Sequence, residues 1–349
     1  VVIVGKGSEV LPGLEKLKIP MFYFDKFGAP SSKPVMKKAA PAGVTVKSVL
    51  DNYIKAIGGE KAVKGVKTIA MTGSTTIPQA PAPLTFTSKV DSKGNVDLAD
   101  LERLLQTKDK TLVSLMHANN EIATLLPLKK VSEMCRKYNA YFHSDTVQTM
   151  GHYTFDLQDL DIDFITCAAH KFHGPKGIGF LYVNKKVKVG SMIHGGAQER
   201  GFRGGTENVY GIVGLAKAMD LAYEDVESHQ KHVQELKSYM IDQFRSYFDD
   251  IQFHGEIEPH NSLYTVLNVC FPRTEKAGML LFTLDLKGVA VSGGSACSSG
   301  AAKGSHVLEG IGADMTRPNA RFSFSRYTTR EEIDFALEQV KSVFEKTLA

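Results

Sequence analysis

The sequence predicts an α/β protein built on a mainly parallel sheet, preceded by an N-terminal part of different texture. Three observations predict it. From Asp91 onward, apolar strand patterns alternate with helical ones, the alternation that produces βαβ units and a parallel sheet. Polar residues stand just past the ends of those strands, at Asn120, Asp145, Gln148, His170 and Lys171, where open α/β sheets gather their ligands. The first 90 residues hold 13 Lys, no Arg, five acidic residues and eight of the 13 prolines, whereas the remainder holds 29 basic and 33 acidic residues.

Taken in order, "VVIVGKGSEVLPGLEKLKIPMFYFDKFG" reads as strand, helix and strand, the last over Met21 to Phe24. Gly5 and Gly7 lack the third glycine and the downstream acid of a dinucleotide fingerprint, so they mark a turn. "GAPSSKPVMKKAAPAG" has the composition of a linker. A short helix around Val44 to Ala56 ends at Gly58-Gly59, and strands "IAMTGSTTI" and "LTFTSKV" flank the Pro-rich "PQAPAP". Beyond Asp91, "TLVSLM" is a strand and "LKKVSEMCRKY" an amphipathic helix, and "AYFHSD", "DFITCAA" and "GIGFLYV" are further strands. One helical stretch covers about Asn208 to Phe248. Strand "LYTVLNVCF", helix "AGMLLFTLDLKG", strand "VAVS", the small-residue loop "GGSACSSGAAKG" and strand "ARFSFSRY" follow. A last helix opens with a capping pair, Thr328 with Glu331 or Thr329 with Glu332.

The composition, 43% hydrophobic and 23% charged, is that of an ordinary globular protein. A net charge of +4 over 349 residues, with no basic stripe interleaved with aromatics, gives no footprint for nucleic acid or a membrane surface. No apolar run reaches the roughly 18 residues of a membrane span, and no signal-peptide pattern opens the chain. Cys135, Cys167, Cys270 and Cys297 form no C-x-x-C pair, which favours a reducing, cytoplasmic setting over a disulfide framework or a zinc knuckle.

The chemistry gathers around "CAAHKFHGPKGIG", where a lysine follows an apolar strand and precedes a glycine turn. A lysine amine, a carboxylate and a carboxamide at neighbouring strand ends are what pyridoxal 5'-phosphate needs: Lys171 for its aldehyde, Asp145 for its pyridine nitrogen, and Gln148 or Asn120 for its phenolic oxygen. Each residue also has a plainer reading. Lys171 alone would be a solvated surface cation, Asp145 a helix cap and Arg321 a structural ion-pair partner. His170 and His173 are spaced like metal ligands, but the glycine-rich context is a turn and no metal is expected. Cys135 and Cys270 fall in apolar patterns and belong to the core. Cys297 stands in a loop of Gly, Ser and Ala.

Six blocks carry a family resemblance: "HANNEIATLLPL", "HSDTVQTMGH", "AAHKFHGPKGIGFLYV", "IHGGAQERGFRGGTENV", "VSGGSACSSG" and "ARFSFSRYTTREEID". In this order and spacing they resemble the cysteine desulfurases of the class V aminotransferase group, from about Asp91 to the end. The resemblance implies a fold type I, PLP-transferase-like large domain and a smaller α+β C-terminal domain. It implies that Lys171 holds the cofactor covalently, Asp145 pairs with the pyridinium, Gln148 contacts the phenolic oxygen, and Asn120 lies beside cofactor and substrate. His170 would help hold the cofactor, and Thr206 would reach the phosphate in the partner subunit of a homodimer. Arg321 would clamp the carboxylate of L-cysteine with its planar fork. Cys297 would take the substrate sulfur as a persulfide and pass it to an acceptor, such as an iron–sulfur scaffold protein, leaving L-alanine.

Ahead of Asp91 the chain departs from that family. It has no aspartate-tyrosine start, no Gly-Ala-Thr-Glu turn to hold the phosphate and no His before His117 to stack on the pyridine ring, and Ala168 stands where many relatives have Ser. Residues 1–42 resemble the closing segment of an M16-type peptidase, without its H-x-x-E-H metal motif. Residues 43–90 resemble the start of an envelope lipoprotein-type domain. The expected organisation is therefore 1–42, 43–90, a cofactor-binding domain over 91–228 and a small domain over 229–349. Two alternatives stand beside a desulfurase. One is another class V enzyme, a selenocysteine lyase or an aminotransferase; the other is a catalytically impaired, chimeric or truncated member that acts at most as a dimerising or binding module.

Overall fold

The structure, a computed structural model, describes residues 68–75, 84–106, 110–274, 279–294 and 305–345, and positions 16, 21–24, 30–31, 45, 48, 51–52 and 55 ahead of them. The chain divides into two compact units, Val1–Val66 and Lys67–Ala349. In the first, β1 (Tyr23–Phe24) pairs antiparallel with β2 (Pro30–Ser31), so the stretch read as a linker begins with a strand residue pair. Thr45 and Ser48 cap one another, each backbone N–H donating to the other's hydroxyl at 2.9 and 3.0 Å, where the short helix is predicted. The strand and helix expected before Met21 lie outside the described residues.

The second unit opens with a hairpin of β3 (Thr68–Thr75) and β4 (Leu84–Asp91), paired from Thr68↔Asp91 to Thr75↔Leu84, as the two strand patterns predict. The chain then turns on Asp91, whose Oδ1 accepts from the N–H groups of Lys93 and Asn95, both at 2.9 Å. Helix α1 (Leu98–Leu105) follows, with Asp97 as its N-cap accepting from Asp100 N–H at 3.0 Å.

A four-stranded sheet carries the rest of the first layer: β5 (Leu112–Met116), β6 (Tyr141–Asp145), β7 (Phe164–Ala168) and β8 (Gly179–Val183), in that order. β5, β6 and β7 are parallel and β8 closes one edge antiparallel, so the prediction of a mainly parallel sheet holds. Between β5 and β6, helix α2 (Leu128–Lys137) buries Leu128, Val131, Ser132 and Cys135, one face at helical spacing. These side chains meet Phe142, Ile162 and Ile165 in one core. The opposite sheet face is open: Leu112, Met116 and Leu181 are 56%, 47% and 55% exposed. Met116, Asp145, Thr166 and Leu181 stand in register across that face.

The predicted helix over Asn208 to Phe248 is two helices, α3 (Val209–Glu224) and α4 (Val226–Tyr247). The break is at Asp225, whose φ of −143° is not helical. Past the break, His229, Val233, Leu236, Lys237, Met240, Ile241 and Phe244 of α4 are buried. An antiparallel sheet of β9 (Gln252–His254), β10 (Val266–Cys270) and β11 (Asn319–Ser323) packs with α4, with α5 (Leu280–Leu286) and with the last helix around Leu267, Val269, Phe271, Leu284 and Leu337. "VAVS" forms no strand. Its contribution is a single bridge, Ser292 to Arg321. Helix α6 (His306–Gly310), which no pattern announces, is capped by Ser305. Helix α7 (Arg330–Glu345) opens with the second of the two capping pairs, Thr329 N–H to Glu332 Oε2 at 2.9 Å and Glu332 N–H to Thr329 Oγ1 at 3.2 Å.

Lys237 is fully buried on α4 and donates to Ser262 Oγ at 2.7 Å and to the Leu263 carbonyl at 2.9 Å. Burial pushes its amine down to about 7 from the ordinary 10.5. Above pH 7 the unfolded chain therefore holds the proton that the folded chain has lost, and stability rises with pH. Above the ordinary thiol value of 9.0 the opposite sense sets in, because burial pushes the Cys135 thiol up to about 12. The melting temperature is expected to rise between pH 7 and pH 9, and Lys237→Met is expected to flatten that rise; thermal melts of both proteins across this range check it.

Candidate active site

The register places the carboxyl ends of β5, β6 and β7 side by side, because Met116 pairs with Asp145 and Asp145 with Thr166. The segments leaving those ends form a cleft of about 160 Å³ lined by Asn120, Gln148, His152, Lys171, Thr265 and Arg321. Four of the residues singled out in the sequence therefore share one cavity. They come from positions up to 201 residues apart, as the Asn120 to Arg321 hydrogen bond shows.

Lys171 sits on a single 3-10 turn, Ala169–Phe172, directly after β7. Its flanks Ala169 and Phe172 are buried while Lys171 is exposed, so packing fixes the turn and leaves the amine to the cleft. His173 ends the turn at a φ of 67°. Gly174 then has to be glycine, since a Cβ there would lie 2.8 Å from Ala169 Cβ and 2.9 Å from its carbonyl oxygen. No ion pair holds the Lys171 amine among the described residues.

Asn120 lies in a tight loop in which Asn119 Oδ1 accepts from Glu121 N–H at 2.9 Å and Ile122 N–H at 3.1 Å. Arg321 reaches this loop from β11, donating from Nη1 to the Asn120 carbonyl at 2.9 Å. Its backbone is fixed on both sides, by Asn268 across β10 and by Ser292. Asp145 ends β6 with an exposed carboxylate whose Oδ1 accepts from Val147 N–H at 2.9 Å. It therefore caps a turn rather than a helix, and it is not among the cleft's lining residues. His170 and Thr206 are likewise exposed and outside that lining. Cys297 lies outside the described residues. The other cysteines, Cys135, Cys167 and Cys270, are buried.

Two neighbours of the site have no role in the sequence reading. His152 lines the cleft, places Nε2 3.3 Å from the Lys171 carbonyl oxygen and shares Nδ1 with Tyr264 Oη at 2.8 Å. Burial pushes its imidazole down to about 4, so it is neutral at pH 7 and steadies the lysine turn as a hydrogen-bonding group. Glu121, 2% exposed, accepts from Ser305 Oγ at 2.5 Å. A Cβ on Gly294 would meet the same carboxylate at 2.9 Å. The last described residue before Cys297 and the first after it are thus gathered on Glu121. His152 was legible only as a polar end to "HSDTVQTMGH", and Glu121 only as a charge beside an apolar run.

Ser305 does two jobs there, since its Oγ also accepts from Leu308 N–H at 3.1 Å as the cap of α6. Ser305→Ala removes both bonds and is expected to lower stability by about 1–2 kcal/mol, measured by denaturant unfolding.

The donor set fits pyridoxal phosphate: an exposed amine, a carboxamide and a guanidinium around one cavity, with a carboxylate at the adjoining strand end. Comparison with known proteins agrees. Residues 79–335 match the aminotransferase class-V family. The chain is 41% identical over 259 residues to "Cysteine desulfurase IscS" of Dictyoglomus turgidum, covering 74% of this chain and 65% of that one; it thus spans less than two thirds of that relative's length. A solved structure titled "NIFS-LIKE PROTEIN" shares 36% identity with a TM-score of 0.65, over 74% of this chain and 67% of its own. Another, titled "SspA in complex with cysteine", shares 28% identity with a TM-score of 0.55, over 69% and 66%.

Proposed function

Starting from the premise that this chain belongs to the aminotransferase class-V family, we propose that it is a pyridoxal phosphate-dependent cysteine desulfurase, converting L-cysteine to L-alanine and holding the sulfur on Cys297. The observation that carries this reading is the convergence of Asn120, Gln148, Lys171 and Arg321 on one cleft. Members of the family use pyridoxal phosphate, and the Dictyoglomus turgidum relative is named a cysteine desulfurase.

Bound pyridoxal phosphate supplies an electron sink for the substrate's α-carbon. Lys171 presents the amine that attaches it, Asp145 the carboxylate for its pyridine nitrogen, and Gln148 the amide for its phenolic oxygen. His170 and Thr206 are the remaining candidates to hold it, Thr206 across a subunit boundary. Arg321 binds the substrate carboxylate, oriented by its bond to the Asn120 loop. The Cys297 thiolate attacks the substrate sulfur; the new S–S bond forms as the carbon–sulfur bond breaks, and the carbon takes up a proton and leaves as alanine.

A homodimer is part of the proposal. Met192, Phe202, Val209, Tyr210 and Val213, on either side of Thr206 in the sequence, are 88%, 53%, 57%, 90% and 63% exposed, and exposed apolar residues gathered in one patch mark interaction surfaces. The sulfur acceptor, an iron–sulfur scaffold or a thiolation partner, and a cytoplasmic setting belong to the same reading. No helix among the described residues is long and apolar enough to cross a membrane.

The test is alanine formation from L-cysteine by the full chain loaded with pyridoxal phosphate. Wild type is expected to turn over and Cys297→Ala to lose at least about 10²-fold, roughly 2.7 kcal/mol of barrier. Full turnover by Cys297→Ala would point to a lyase or aminotransferase instead. No alanine from wild type would favour the impaired-member reading, which the open sheet face at Leu112, Met116 and Leu181 supports.

A further inference from the structure

The Lys171 cleft does not account for a larger cavity beside it. That cavity, about 340 Å³, has an apolar wall of Phe172, Ala222 and Val233 and a polar one that includes His152, His229 and Arg326. Its volume falls in the range of small-molecule pockets.

One chain of hydrogen bonds sets the tautomers in its wall. His152 Nε2 faces the Lys171 carbonyl oxygen at 3.3 Å, which can only accept, so the ring proton is on Nε2. His152 Nδ1 is then a lone pair, and it takes the Tyr264 hydroxyl proton at 2.8 Å, a shorter path than the 3.4 Å to the His152 carbonyl. With its one proton spent, Tyr264 Oη accepts from His229 Nε2 at 2.9 Å. A neutral imidazole protonated on Nε2 leaves an acceptor at Nδ1. His229 is 8% exposed, and that Nδ1 has no hydrogen-bond partner among the described residues. Burial and the nearby Arg326 charge hold the His229 imidazole below its ordinary range, against the Asp225 carbonyl and carboxylate, which pull the other way.

His229 borders the cavity, and a buried acceptor calls for a donor. Arg326 spends one N–H on the Leu221 carbonyl at 3.1 Å and has further donors in its fork. The carboxylate of Glu224 also borders the cavity. Donor-seeking and acceptor-seeking groups thus line the same small space beside an apolar wall.

We propose that this cavity binds a small α-amino acid as its zwitterion, with the ammonium donating to His229 Nδ1 near Glu224, the carboxylate on Arg326 and the side chain against Phe172, Ala222 and Val233. The site adjoins the cleft and shares His152, His173 and Thr265 with it, but its carboxylate group is Arg326 where the cleft's is Arg321, and it requires neither cofactor nor Cys297.

Isothermal titration of the full chain without pyridoxal phosphate, with L-alanine as the probe, tests it. Wild type and Arg321→Met are expected to bind alike, and His229→Phe and Arg326→Met at least tenfold more weakly, about 1.4 kcal/mol. Acetate, which lacks the ammonium, is expected to bind at least tenfold more weakly than alanine. No binding by wild type up to about 10 mM would mean that water alone serves the lone pair, and would overturn the proposal. Loss in Arg321→Met with retention in Arg326→Met would place alanine in the cleft and overturn it equally. Should His229→Phe fail to melt cooperatively, Arg326→Met, altered at a partly exposed position, decides alone.

Discussion

Lys171→Ala is expected to abolish the absorption band near the visible edge that pyridoxal phosphate gives with this protein, and to lower alanine formation from L-cysteine by about 10³-fold or more, roughly 4 kcal/mol of barrier. The size follows from the absence of a substitute. Lys171 is the lysine lining the cleft, and an attached cofactor needs an amine at that point. Little stability should be lost, because the side chain is exposed and the turn is fixed by Ala169 and Phe172 beneath it; surface changes of this kind stay within about 0.5 kcal/mol. Difference spectra of wild type and variant, with thermal melts as a control, give the answer. A band of equal height in both would remove Lys171 from the site.

Arg321→Met is expected to reduce kcat/KM for L-cysteine by about 30- to 5,000-fold, the 2–5 kcal/mol lost on truncating one partner of a close charge pair, mainly through KM. Arg321→Lys should recover only part of this, because an ammonium keeps the charge and loses the bidentate fork. Steady-state kinetics separate the two. An unchanged KM in Arg321→Met, at unchanged fold, would assign Arg321 to holding the Asn120 loop and nothing more.

Much of the fold can be read from pattern. The α2 stripe of Leu128, Val131, Ser132 and Cys135 buries the face that its spacing announces, and the Thr329–Glu332 box starts α7 with both of its bonds formed. These signals are local, carried by residues three or four apart. The break at Asp225 escaped because apolar spacing continues across it. "VAVS" failed as a strand because β propensity does not supply a partner; the segment meets β11 only at Ser292.

At the site, the strand-end residues Asn120, Gln148 and Lys171 were legible because a parallel sheet brings such ends together. His152 and Glu121 were not. Their meaning lies in Tyr264, 112 residues from His152, and in Ser305, 184 residues from Glu121. No spacing rule spans such separations, and only the packed chain shows them.

The carboxylate of Glu121 gathers Gly294 and Ser305 at one point, and this works as a tether. Cys297 is three residues from Gly294 in the sequence, and three residues of chain span at most about 11 Å. If Cys297 holds the sulfur as proposed, that sulfur stays within such a span of an anchored residue, and an acceptor has to come to it.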